Sequence, residues 1–205
     1  MMELDRRRQR GERARAQVLE HSTAIASTEG LAGLSIGRVA TEAGVGKGNI
    51  QVLFGDKEAL QLATIESAVA LYQQNVVDPA MQEPTPATRL KALVDGWFGF
   101  VEARTLPGGC FINAVSSEYR ARPGRIRDRI NEHRKEIRSR FADLIRAAQE
   151  EDELRTHLDV EQMVFELVAY QAAANVASSM GDSGEFFRAR TSSVELVRLA
   201  TTREN

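Results

Sequence analysis

The sequence predicts an all-α protein, with an N-terminal three-helix domain built around a helix-turn-helix and a C-terminal helical bundle after it. Three observations carry that prediction. Long stretches rich in Ala, Leu, Glu, Arg and Gln favour helix by intrinsic propensity, and only three tyrosines, eight phenylalanines and five prolines occur in 205 residues. Apolar residues recur at three-to-four spacing along most of the chain. Glycines, prolines and capping residues interrupt that spacing about once per helix.

In chain order, a first helix is expected from about Arg10 to Thr28, with Val18, Leu19, Ser22, Ile25 and Ala26 on its buried stripe and Glu29-Gly30 ending it. Ser35 then stands where its hydroxyl can cap a short helix from Ile36 to Ala43, whose apolar face is Ile36, Val39, Ala40 and Ala43. After the Gly44-Val45-Gly46 corner, a second short helix runs from Lys47 to Phe54. It buries Ile50 and Phe54 and exposes Lys47, Asn49, Gln51 and Val52. Asp56 caps a longer helix from Lys57 to about Val77, and the prolines at 79, 84 and 86 mark a junction. These breaks divide the chain into a domain at 1–56, a connecting helix at 57–77, and a second domain at 78–205.

In the second domain Thr85 and Pro86 open a helix whose stripe is Leu90, Leu93, Val94, Trp97 and Val101, ending at Leu106-Pro107-Gly108-Gly109. Further helices are expected at 110–121, 125–151, 159–180 and 183–199, with Asp159 and Gln162 resembling a capping box.

Two eight-residue helices, joined by a glycine turn and backed by a longer helix, form a helix-turn-helix unit. Such a rod fits the major groove but is too short to be stable alone, so it needs the brace of Ile36, Val39, Ile50 and Phe54. The ordered segments Ser35-Ile-Gly-Arg-Val-Ala40, Ala43-Gly-Val-Gly-Lys-Gly-Asn-Ile50 and Phe54-Gly-Asp-Lys-Glu-Ala-Leu60 resemble the tetracycline-repressor (TetR) family over about residues 12 to 65. The resemblance implies a DNA-binding transcription regulator. Lys47, Gly48 and Asn49 would open the recognition helix, and Ser35 and Lys57 would hold phosphates. Arg38, Gln51 and Val52 complete the candidate DNA-binding set. The family usually carries Tyr where this chain has Gln51, and His or Tyr where it has Leu53. Gln51 has the chemistry to read adenine bidentately instead.

The charge layout agrees with one end meeting nucleic acid. Residues 1 to 15 carry six arginines against three acids, whereas residues 141 to 205 carry six arginines against twelve acids. The arginines at 6, 7, 8 and 10 read equally as phosphate or minor-groove contacts and as a disordered basic tail. The basic run from 124 to 140 reads better as a solvated helix face than as a DNA contact.

No metal-ligand spacing, phosphate loop or catalytic constellation stands out after Pro86, so no metal, cofactor or enzyme chemistry is expected. A helical enzyme or a protein-interaction module with an incidental helix-turn-helix is the competing reading. The resemblance implies instead a pocket for a small-molecule effector of unknown identity, with ligand release of a palindromic operator. The candidates to line it are Trp97, Phe100, Cys110, Asn113, Phe165, Gln171 and Asn175. Cys110, at a helix start, reads either as a sensing thiol or as a small buried residue.

The last two helices are apolar on more than one face, and alanines 172, 173, 174 and 177 permit close approach. They are therefore expected to pair with their copies in a homodimer. A lone cysteine, no signal-peptide pattern and no apolar run near the roughly 20 residues of a membrane span lead to a cytoplasmic location as the default, in a bacterium as the resemblance implies.

Overall fold

The structure, a computed structural model, describes residues 2–202, and side chains from Arg6 onward except Arg7. The described residues form helices α1 Met2–Glu29, α2 Ile36–Glu42, α3 Lys47–Phe54, α4 Lys57–Tyr72, α5 Asp78–Ala80, α6 Pro86–Glu102, α7 Phe111–Tyr119, α8 Arg125–Glu150, α9 Val160–Met180 and α10 Ser183–Ala200. An all-α chain is what the helical periodicity predicts. The chain divides into two compact units, Met1–Ala70 with Leu106–Ile130, and Leu71–Thr105 with Asn131–Asn205. Each unit is thus assembled from two separate stretches of sequence.

In the first unit α1 starts at Met2 rather than near Arg10. Nothing in residues 2–10 breaks a helix, and Arg8 Nε donates to Glu12 Oε1 at 3.0 Å one turn on. Arg6, Arg8 and Arg10 are exposed, while any reading of Arg7 lies outside the described side chains. Val18, Ser22, Ile25 and Ala26 are buried as the stripe requires. Ser22 Oγ receives the Thr64 hydroxyl at 3.0 Å, a buried polar link from α1 to α4. Ser35 caps α2 by accepting from the Arg38 N–H at 3.2 Å. At the start of α8, Arg125 reaches Glu58 at 3.1 Å and Arg129 grips Glu66 with two bonds of 2.6 and 2.9 Å. That part of the basic run is therefore neutralised by α4.

In the second unit α4 runs into a π-helical turn at Gln73–Val77 and then α5, so the helix expected to end at Val77 changes pitch before it stops. Gly96 on α6 accommodates it, since a Cβ there would lie 3.2 Å from Val76 Cγ1. Thr85 and Thr88 form a reciprocal capping box at the start of α6, and Leu90, Leu93, Val94, Trp97 and Val101 are all buried. Asp159 caps α9 by accepting from the Gln162 N–H at 3.1 Å. The return half of the expected capping box is missing, because Gln162 Nε2 donates to Glu166 at 2.7 Å instead.

α9 and α10 form a hairpin through left-handed Gly181 and pack along their length, with α6 against both. Met163, Val164, Leu167, Ala174 and Ala177 of α9 face inward, as do Phe186, Ala189 and Val197 of α10. Ala174 and Ala177 are therefore used inside the chain, which corrects their expected place in a self-pairing face. The outward stripe of α9 is Phe165, Ala169, Ala172, Ala173, Val176 and Met180.

Candidate nucleic-acid interface

The short helices α2 and α3 take their stability from packing on each other and on α1. Val39 and Ala40 of α2 and its C-cap Ala43 are buried, as are Ile50 and Phe54 of α3. The corner between them is closed by the Val45 N–H donating to the Ala40 carbonyl at 2.9 Å. Burying Ile50 and Phe54 one turn apart fixes the rotation of α3 about its axis, so Lys47, Gly48, Asn49, Gln51 and Val52 all stand exposed. Val52 is 86 % exposed, which nothing in this chain's own packing explains.

Two further contacts hold α3 from behind. Arg15 of α1 donates from Nη1 to the Leu53 carbonyl at 2.9 Å, satisfying an acceptor in the last helical turn. Its guanidinium also lies 4.4 Å from the centre of the Phe54 ring. Lys47 runs its stem across α2, where a Cβ on Gly37 would stand 3.1 Å from Lys47 Cε. A Cβ on Gly48 would meet nothing within 4 Å, so the space over it is open.

The eight candidates separate into two groups. Ser35, Lys47, Gly48, Asn49, Gln51 and Val52 present themselves outward. Arg38 and Lys57 are engaged by the chain itself. Arg38 forms a two-bond ion pair with Glu29, the last residue of α1. That hydrogen bonding, helped by the opposite charge, holds the Glu29 carboxyl below its ordinary value and raises the Arg38 guanidinium. Lys57 donates to the Ala32 carbonyl at 3.1 Å. Sequence reasoning missed Arg15 and Glu29, because pairing across 38 or 9 residues leaves no periodic trace.

The exposed set has the chemistry of base recognition. Asn49 and Gln51 each offer an amide donor and acceptor that match the adenine edge, Lys47 donates to guanine or phosphate, and Val52 offers an apolar contact for a thymine methyl.

The other candidates do not gather in one unit. Cys110, which precedes the first turn of α7, and Asn113 are half-buried in the first unit. Trp97 and Phe100 on α6, and Gln171 and Asn175 one turn apart on α9, are buried in the second. Trp97 meets Phe98 edge-on at 4.9 Å, and Phe100 meets Tyr72 at 6.1 Å. Among the described residues Gln171 Nε2 has no hydrogen-bond partner. Phe165 is 56 % exposed and belongs to the outward stripe of α9 rather than to this buried set.

Among the described residues no three His, Cys, Asp or Glu side chains are placed to hold a metal, and no helix is long and apolar enough to cross a membrane.

A helix-turn-helix that exposes a polar, amide-rich helix end, followed by a helical bundle, defines a DNA-binding transcription regulator. A model of the tetracyclin repressor-like C-terminal domain matches residues 86–193, more than half of the chain, and the chain belongs to that family. The family read from residues 35 to 60 is thus reached independently from the other end of the sequence.

Among solved structures, a TetR transcriptional regulator from Chloroflexus aurantiacus J-10-fl matches with a TM-score of 0.86 at 21 % identity, over 94 % of this chain and 98 % of that one. A TetR-family regulator from Cytophaga hutchinsonii matches with a TM-score of 0.82 at 18 % identity, over 95 % of this chain and 98 % of that one. AibR, solved with isovaleryl coenzyme A and operator DNA, matches with a TM-score of 0.65 at 16 % identity, over 80 % of this chain and 86 % of that one. At these identities the likeness is one of fold. No curated protein matches the chain.

Proposed function

We propose that this protein is a ligand-responsive repressor that holds a palindromic operator as a homodimer and releases it when a small molecule binds. The observation that carries the reading is the outward face of α3, where Lys47, Gly48, Asn49, Gln51 and Val52 are exposed together on a helix braced from behind. Residues 1–56 serve as the reading domain, with Ser35 and Lys47 on phosphates or bases and residues 106–130 supporting it from the same unit, and the remainder of 78–205 serves effector binding and self-association.

The effector site draws on Trp97, Phe100, Gln171 and Asn175. An apolar wall with an amide N–H lacking a partner favours a ligand that brings a hydrogen-bond acceptor. AibR, with both an acyl coenzyme A and operator DNA in its structure, supports the pairing of effector and operator in this fold. The apolar stripe of α9, with Phe165, Val176 and Met180 exposed, supports self-association, since such a face is costly to leave in water. Two reading heads related by a two-fold axis require half-sites about 34 to 36 Å apart or multiples of that.

The test is selection of duplexes from a random pool by the full-length protein, followed by titration at several salt concentrations. The expected result is one palindromic sequence bound by a dimer, with affinity falling steeply as salt rises. Binding that ignores sequence, or no binding at all, contradicts the regulator reading.

A further inference from the structure

The bend between α1 and α2 is held in an unusual way. Two consecutive residues, Leu31 and Ala32, have all four of their backbone polar groups taken by side chains from distant helices. The carboxylate of Glu118, in the last turn of α7, accepts from the Leu31 N–H at 2.9 Å and from the Ala32 N–H at 2.8 Å. From α4, Gln61 Nε2 donates to the Leu31 carbonyl at 2.6 Å and Lys57 Nζ donates to the Ala32 carbonyl at 3.1 Å.

The neighbouring residues are shaped to permit this grip. Gly30 has φ +79, which favours glycine, and a Cβ there would lie 2.5 Å from Glu118 Oε2 and displace the carboxylate from its grip. The segment leading into α7 sits directly on α1. A Cβ on Gly108 would come within 1.7 Å of the Ser27 carbonyl oxygen, and the Gly108 N–H donates to Ser27 Oγ at 3.1 Å. Glu118 is itself steadied by Arg122 at 3.5 Å. The Arg122 guanidinium also lies 5.5 Å from the centre of the Tyr119 ring.

The clamp lies immediately upstream of the DNA-reading helices. Leu31 and Leu34 are fully buried, and the next residue, Ser35, caps α2. Where the chain turns at 31–32 therefore decides where α2 begins, and α2 carries α3. An ordinary exposed turn would leave these amides to water. Here a carboxylate is spent on them, inside the unit that must approach a polyanion.

We propose that Glu118 is a positioning residue for DNA reading, whose two-amide grip on the α1–α2 bend sets the stance of α3. The inference rests on the regulator reading. Both helices that supply the clamp adjoin points where the chain passes to the second unit, α4 at residues 70 to 71 and α7 shortly after residues 105 to 106. The clamp is thus covalently close to the part proposed to bind effector.

The sign of one substitution separates this role from a bystander's. An acid that merely sits near DNA repels it, so its removal strengthens binding to every duplex alike. Removal of a positioning acid weakens binding to the right sequence alone. The experiment uses full-length wild type, Glu118→Gln and Glu118→Ala, with circular dichroism and sedimentation to establish fold and assembly. Affinity is titrated on the wild-type-selected duplex and on a scrambled one. Glu118→Gln keeps size and one acceptor, and serves where the alanine variant fails to fold.

The expected result is a loss of tenfold or more on the selected duplex, with affinity for the scrambled duplex unchanged or slightly higher, and faster exchange of the Leu31 and Ala32 amides. Equal loss on both duplexes by a folded, normally assembled variant means that Glu118 does not act on sequence reading, and overturns the proposal. No loss, or equal gain on both, marks Glu118 as a bystander and overturns it too. If wild type selects no duplex, the regulator reading itself fails and takes this inference with it.

Discussion

α3 and α9 both turn one face into the chain and one out, yet their outer faces differ in kind. The inner faces are alike, with Ile50 and Phe54 on one and Met163, Val164 and Leu167 on the other, all of them buried. Outside, α3 shows Lys47, Gly48, Asn49 and Gln51 with Val52, whereas α9 shows Phe165, Val176 and Met180 spaced by alanines. Inner faces make the fold, and outer faces are what a partner can meet. An amide-rich face gives up little water to lie in a hydrated groove and regains those hydrogen bonds from base edges. An apolar stripe gains only when another apolar surface covers it. Length differs accordingly: α9 spans 21 residues and can carry an extended contact, while α3 spans eight and presents only one end.

That contrast can be broken at either helix. The largest effect is expected from Phe165→Asp combined with Met180→Asp, which places two unpaired charges on the α9 stripe. The self-complex should weaken by 100-fold or more in sedimentation, with each chain's helicity unchanged because both side chains are exposed in it. An unaltered assembly state would mean that this stripe is not the self-contact.

A smaller effect is expected from Asn49→Ala, since a bidentate base contact carries about 1 to 3 kcal/mol of discrimination. Affinity for the selected duplex should fall and one position of the base preference should relax. Gln51→Ala should behave likewise at a neighbouring position, and equal weakening on every sequence would deny Gln51 a role in reading adenine.

The smallest effect, and the one of opposite sign, is expected from Glu29→Gln. It frees Arg38 for a phosphate, so binding should strengthen a few-fold and the salt dependence should steepen by about 0.9 in the logarithmic slope. The Arg38 hydrogen bonds lower the folded pKa of Glu29. The pair is therefore intact at neutral pH and is lost only as pH falls below the ordinary carboxylate range. A phosphate must consequently displace an ionised carboxylate at pH 7. Binding of wild type and Glu29→Gln should stay apart in mildly acidic titrations and converge only below the ordinary carboxylate range, as Glu29 protonates.

Much of this was legible in the sequence because helical periodicity reports which side of its own helix a residue faces. Three-to-four spacing turns Leu90, Leu93, Val94, Trp97 and Val101 inward together, and Ile50 and Phe54 leave the α3 surface to the polar residues between them. The caps at Ser35, Thr85 and Asp159 were legible because a cap is made within three residues. What periodicity does not report is which other helix a residue meets. Glu118 and Leu31 are 87 positions apart, and no local pattern joins them. For the same reason the bond from the Lys57 ammonium to the Ala32 carbonyl has no sequence signal, since the two residues are 25 positions apart. Phe165 is a different case, standing exposed on the outer stripe of α9. On a helix apolar on two faces, an aromatic residue gives no sign of which face is covered by the chain and which awaits a partner.

The most direct test of the central claim is amide hydrogen exchange of the full-length protein with and without its selected duplex. The account predicts new protection concentrated at residues 46–52, the start and outer face of α3, and little change on the outer stripe of α9 within a dimer already formed. Tight, sequence-specific binding that leaves residues 46–52 exchanging as before would contradict it.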